Sequence, residues 1–101
     1  MRRKADFERL LREGERKSLG GYTFYLERRP AGGPRLGILI SRKHAAAAAD
    51  RNRIKRCIRE AFRLEQDKLG AIDLLVRPPY DARASRDDVA RLRELLARLS
   101  E

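Results

Sequence analysis

Apolar residues recur at spacings of three and four in some stretches of this chain and of two in others, and the two periods predict helices and strands. Phe7, Leu10 and Leu11 stand at i, i+3 and i+4, which predicts a short helix over residues 5–13, with Gly14 placed to end it. In Tyr22-Thr23-Phe24-Tyr25-Leu26-Glu27 the period is two. Tyr22, Phe24 and Leu26 share one face and Thr23, Tyr25 and Glu27 the other, so a strand over 22–28 is expected to bury the first face and leave the second more open. Pro30-Ala31-Gly32-Gly33-Pro34 is a loop by its breakers. A second strand follows over 35–41, expected to lie antiparallel to the first across that loop. The longest helix is expected over 46–68, before Gly70, and a third strand over 71–77, stopped by Pro78-Pro79 because proline has no ladder donor. Ser85 with Asp88 three residues later resembles a capping box and opens a last helix over 86–99, whose buried stripe is Val89, Leu92, Leu95, Leu96 and Leu99.

The order αββαβα describes an α+β fold: a small sheet with helices packed against it, in a single domain over residues 1–101. The second and third strands with the long helix between them form a βαβ unit if the two strands are parallel.

Charge changes the picture most. The chain of 101 residues is 40% charged with a formal net charge of +10, which points to a polyanionic partner: RNA, DNA or an anionic membrane surface. Half of that excess sits in residues 51–63, where six Lys/Arg accompany a single acid, Glu60. No apolar run approaches the roughly 18–20 residues that span a bilayer. The basic start Met1-Arg2-Arg3-Lys4 leads into an amphipathic stretch rather than a signal-peptide core, so a cytoplasmic protein is expected.

On a helical projection of the basic segment, Ile54, Cys57, Ile58, Ala61 and Phe62 fall within an arc of roughly 140°, and Arg51, Asn52, Arg53, Lys55, Arg56, Arg59 and Arg63 cover the rest. One face therefore enters the core and the other presents guanidinium groups, each able to chelate a phosphate or stack on a base. A merely soluble helix usually interleaves Glu with Lys for i,i+4 pairs, and this one does not. Asn52, within the basic arc, could read a base edge or a 2′-hydroxyl. Tyr25, on the more open face of its strand, suits either stacking on an unpaired base or the edge of the core. On pattern alone Phe7 belongs to the core.

Other residues only look like chemistry. His44 is the one histidine, so no histidine pair can form, and Cys57 reads as a small buried hydrophobe. Asp87 and Asp88 suit the first turn of a helix. No phosphate-binding glycine loop, nucleophile elbow or zinc spacing is present, and neither catalytic residues nor a metal site are expected in the polypeptide.

Arg51-Asn52-Arg53-Ile54-Lys55-Arg56, followed by Ile58-Arg59-Glu60-Ala61-Phe62-Arg63, resembles the signature of the protein subunit of bacterial ribonuclease P. Asp6-Phe7 with Gly14, Tyr25 at the end of the first strand, Arg35-Leu36-Gly37-Ile38 and Ser41-Arg42-Lys43 extend the resemblance over roughly residues 3–98. It implies a subunit of a ribonucleoprotein endonuclease that removes the 5′ leader of precursor tRNA. In that family the RNA is the catalyst and holds the magnesium ions, and no cofactor bound by the protein itself is expected. By position, Arg51, Asn52, Arg53, Lys55, Arg56 and Arg59, with Arg42 and Lys43, would contact the catalytic RNA and the substrate. Phe7, Leu11, Tyr25 and Leu39 would line a cleft for the single-stranded leader, and the βαβ crossover would be left-handed, against the general rule.

Three departures stand out. His44 and five alanines replace a usual Gly-Asn pair, with Asp50 placed as the N-cap of the long helix. Leu39 stands where serine is common, and Leu11 replaces a frequent aromatic. The alternatives are a basic structural RNA-binding protein of ribosomal type without a part in cleavage, and a membrane-surface amphipathic protein, against which the distributed core argues. Neither a membrane nor a protein partner is expected.

Overall fold

The computed structural model describes residues 4–42, 45, 47–79 and 88–99. Its elements are α1 (Lys4–Glu13), β1 (Glu15–Leu19), β2 (Tyr22–Arg28), β3 (Arg35–Ile38), α2 (Ala48–Leu69), β4 (Ile72–Arg77) and α3 (Asp88–Leu99). They form the expected α+β domain around one sheet, ordered β1-β2-β4-β3. The pairs β1/β2 and β2/β4 are antiparallel and β3/β4 is parallel, so β3, α2 and β4 make the anticipated βαβ unit.

Two expectations fail at the sheet. β1 was not foreseen, because Glu15-Arg16-Lys17-Ser18-Leu19 carries one apolar residue and is exposed or half-buried throughout. Its signal lay in Gly20-Gly21, whose φ values of 57° and 87° match the two left-handed positions of a tight hairpin turn. The strand expected beside β2 across the 29–34 loop is also displaced. β4 inserts between β2 and β3, since its apolar run Ile72-Asp73-Leu74-Leu75-Val76 is buried on both faces and claims the centre.

The boundaries shift modestly. β3 ends at Ile38 rather than 41, although the Leu39 amide still donates to the Val76 carbonyl at 2.9 Å. α2 begins at Ala48 with Ala47 as its N-cap and no side-chain cap, so Asp50 lies in the first turn instead of capping it. Gly70, at φ 72°, ends that helix. The Ser85 cap falls outside the described residues.

Alternation sends Tyr22, Phe24, Leu26, Ile72, Leu74 and Val76 to one side of the sheet, where they meet Ile54, Ile58 and Ala61 of α2 and the leucine stripe of α3. Buried Glu65 accepts a hydrogen bond from Arg93 Nε at 2.8 Å and ties the two helices. The other face is smaller. Leu10 of α1 closes over Tyr25 and Leu75, with Phe7 and Leu39 packed beside them. Tyr25 is thus 7% exposed, contrary to the expected open face, because the sheet is covered on both sides.

Candidate nucleic-acid interface

Burial of Ile54, Ile58, Ala61 and Leu69 fixes α2 along its length, and this rigidity positions the opposite face. Asn52, Arg53, Arg56 and Arg59 are exposed and Lys55 is half-buried. Arg51 is half-buried and turned back, its Nη1 donating to the Ala45 carbonyl at 3.0 Å. Arg63 is held by Glu60 through two hydrogen bonds of 3.1 and 2.6 Å. Arg53, Lys55, Arg56 and Arg59 have no acidic partner among the described residues, whereas Arg9, Arg29, Arg35, Arg63, Lys68 and Arg93 all have one. Other arginines without an acid, such as Arg12, Arg16, Arg42 and Arg98, are scattered, whereas these four stand within seven residues of α2. Arg42 is exposed near its entry, and Lys43 and His44 lie outside the described residues. Cys57 is half-buried rather than buried, and desolvation, then Asp88, raises its thiol pKa.

Cross-strand register organises the second face. Glu27, Asp73 and Arg35 form one row; Tyr25, Leu75 and Gly37 the next; Thr23 and Arg77 a third, continued by Leu39. α1 lies over the first two. Phe7 fits there because Gly37 has no side chain: a Cβ at that position would come within 2.6 Å of the ring. Leu11, by contrast, is 42% exposed and does not join the cluster around Tyr25. The structure therefore brings Phe7, Tyr25 and Leu39 together and leaves Leu11 at the rim. A cavity of about 240 Å³ opens between Phe7, Leu36–Ile38 and the side chains of Lys55 and Arg59. The basic helix face and the aromatic cleft are neighbours along β3.

Three groups escaped the sequence reasoning. Asp73 is fully buried and meets Arg35 at 2.7 and 2.8 Å, Arg29 at 3.1 Å and Arg9 at 3.4 Å. The hydrogen bonds from Arg35 hold its carboxyl below the usual range despite burial, with the charges of Arg35, Arg29 and Arg9 adding to the effect. Arg77 donates to the Thr23 hydroxyl at 3.3 Å, and Arg16 is paired across from Tyr25. The period of two in Ile72–Arg77 already placed Asp73 and Arg77 on one face; which face only the pairing decides.

Among the described residues no group of three or more His, Cys, Asp and Glu gathers as a metal site, and no helix is long and apolar enough to cross a membrane. The family model Ribonuclease P matches this chain over residues 1–100, the span that carries the cationic helix and the cleft. The chain belongs to the ribonuclease P protein family.

Similar proteins agree with that membership. The ribonuclease P protein component of Nitrosococcus oceani is 46% identical over 71 residues, 70% of this chain and 60% of that protein. That of Methylococcus capsulatus is 60% identical over 43 residues, 43% of this chain and 34% of that protein. The chain thus aligns with less than two thirds of the length of these curated relatives. Among solved structures, a Staphylococcus aureus RNase P protein mutant described as defective in mRNA degradation superposes with a TM-score of 0.85 at 26% identity, covering 99% of this chain and 86% of that one. The RNase P protein of Thermotoga maritima gives a TM-score of 0.76 at 25% identity, covering 97% and 94%. These ribonuclease P proteins share the arrangement of helices and mixed sheet that sets α2 and the cleft side by side.

Proposed function

We propose that the chain is the protein subunit of a ribonuclease P, a cytoplasmic ribonucleoprotein that removes the 5′ leader from precursor tRNA. The observation that carries this reading is the run Arg53, Lys55, Arg56 and Arg59, held on a rigid helix without acidic partners among the described residues and adjoining the cleft around Phe7 and Tyr25. The outer face of α2, with Asn52 on it and Arg51, Arg42 and Lys43 near it in sequence, binds the phosphates of the catalytic RNA and of the substrate near the cleavage point. The cleft takes the unpaired leader, with Phe7 and Leu39 offering apolar contact and Leu11 a peripheral one. Tyr25, mostly covered by α1, supports the cleft floor and offers at most an edge.

Bond breaking belongs in this reading to the RNA and its magnesium ions. The polypeptide supplies position and charge: it draws two anionic strands together and lowers their repulsion.

The leader role is tested by affinity. Added to a bacterial ribonuclease P RNA, the chain should tighten binding of precursor tRNA by about tenfold, equivalent to roughly 1.4 kcal/mol, and leave mature tRNA nearly unchanged. Equal tightening of both would contradict a leader-binding cleft.

A further inference from the structure

Tyr25, Glu27, Leu75 and Asp73 lie on the face of the sheet that α1 covers, and the register sets Glu27 directly opposite Asp73 on the neighbouring strand. Two carboxylates facing each other across a strand pair repel, and they weaken the sheet unless a cation lies between them. Here that cation comes from α1. Arg9 Nη2 stands 3.4 Å from Asp73 Oδ2 and 3.6 Å from Glu27 Oε1. Asp73 is already served without it: Arg35 donates to both carboxylate oxygens at 2.7 and 2.8 Å, and Arg29 lies at 3.1 Å. Two guanidinium groups around one carboxylate leave a positive surplus, which by itself repels a third. Glu27 cancels that surplus and so completes the seat that Arg9 occupies.

The seat matters because α1 has little else to hold it. Leu10 is the one buried residue of α1, and a single apolar anchor leaves a helix free to rock about it. Projected at roughly 100° per residue, Phe7 and Arg9 fall on opposite flanks of Leu10. Phe7 rests in the space that Gly37 leaves open, and Arg9 rests between the two acids. Lifting the Arg9 flank would turn the helix about Leu10 and shift the ring from Gly37. We propose that Glu27 is a positioning residue for leader binding: with Asp73 it seats Arg9, fixes the tilt of α1 and so holds the Phe7 edge of the cleft at its working width. The inference rests on the cleft being the leader site, and it gives an acid a supporting role on a surface whose ligand is a polyanion. Electrostatics alone predicts the reverse sign, because removing a negative charge beside an RNA site raises affinity. The sign of the effect therefore separates a positioning role from a bystander acid.

The experiment measures how strongly the complex with a bacterial ribonuclease P RNA prefers precursor over mature tRNA, for the parent chain and for Glu27→Gln, Glu27→Asp and Arg9→Ala. Glu27→Gln should lower that preference by about two- to fivefold, the range of a partly exposed ion pair, and leave mature tRNA binding unchanged. Glu27→Asp, which keeps the charge, should lower it less. Arg9→Ala should lower it at least as much as Glu27→Gln, and adding Glu27→Gln to Arg9→Ala should cost nothing more, since both break one contact. In a ¹⁵N spectrum of the free chain, the Gly37 amide beside the Phe7 ring should move in Glu27→Gln and Arg9→Ala. That of Ser18, on the far edge of the sheet, should stay in place. An equal or higher preference for precursor tRNA in Glu27→Gln would overturn the proposal, and so would a lowered preference with the Gly37 amide unmoved. A salt dependence flattened by about 0.7 in Arg9→Ala would make Arg9 a phosphate contact and overturn it as well. A parent chain with no preference for precursor tRNA would overturn the leader reading itself and the proposal with it.

Discussion

Asp73 carries more of the architecture than its single carboxylate suggests. Arg9 comes from α1, Arg29 from the end of the β2 region and Arg35 from β3, so one buried group ties three parts of the chain. Its folded pKa lies below the ordinary value, chiefly through the Arg35 hydrogen bonds. A lowered carboxylate pKa contributes stability that is present above the unfolded value, about 3.9, and is lost as pH falls through the folded one. The thermal midpoint should therefore drop as pH is lowered from about 5 toward 2. Asp73→Asn should cost about 3 kcal/mol at neutral pH, because it leaves three guanidinium groups around a buried neutral side chain, and it should flatten that acid limb. Parallel pH profiles for the variant and the parent protein would remove Asp73 from this role.

At the scale of elements, the docking of α1 depends on one absent side chain. Gly37→Ala would drive a methyl group into the Phe7 ring, and the expected penalty is about 1–3 kcal/mol with α1 loosened from the sheet. Chemical denaturation measures the loss, and an unchanged midpoint would show that Phe7 can move aside freely. Helix α2 behaves differently. Arg53, Lys55 and Arg56 touch no acid among the described residues, so replacing all three with alanine should leave the melting temperature nearly unchanged. The same variant should flatten the salt dependence of RNA binding by up to about 0.7–0.9 per lost phosphate contact. An unaltered slope would place these side chains away from phosphates. The helices were legible in the sequence because their apolar stripes are long and regular, as in Ile54, Ile58 and Ala61. β1 was not, because an edge strand buries too little to leave a period of two. The neighbours of β2 were not either, since short strands fix their partners through tertiary packing and not through local pattern. Tyr25 shows the same limit: alternation told which residues it sits with, but only the position of α1 told that this face is covered.

Across the whole molecule, the net charge of +10 is distributed by function. Most cations elsewhere in the described chain are spent on acids, carbonyls or hydroxyls that hold the fold, while Arg53, Lys55, Arg56 and Arg59 of α2 have no acidic partner among the described residues. This imbalance was legible as a local excess around residues 51–63. Its adjacency to the Phe7 cleft was not, because it arises from β3 lying at the sheet edge between α1 and α2. The central claim is that this joined surface assists a catalytic RNA in cutting precursor tRNA. Its most direct test is the rate of leader removal at low magnesium by a bacterial ribonuclease P RNA, alone, with the chain, and with the Arg53/Lys55/Arg56→Ala variant. The chain should raise the rate well above that of RNA alone, and the variant should return most of the way to the RNA-only rate while remaining folded. No gain from the unaltered chain, or an equal gain from both proteins, would contradict the account.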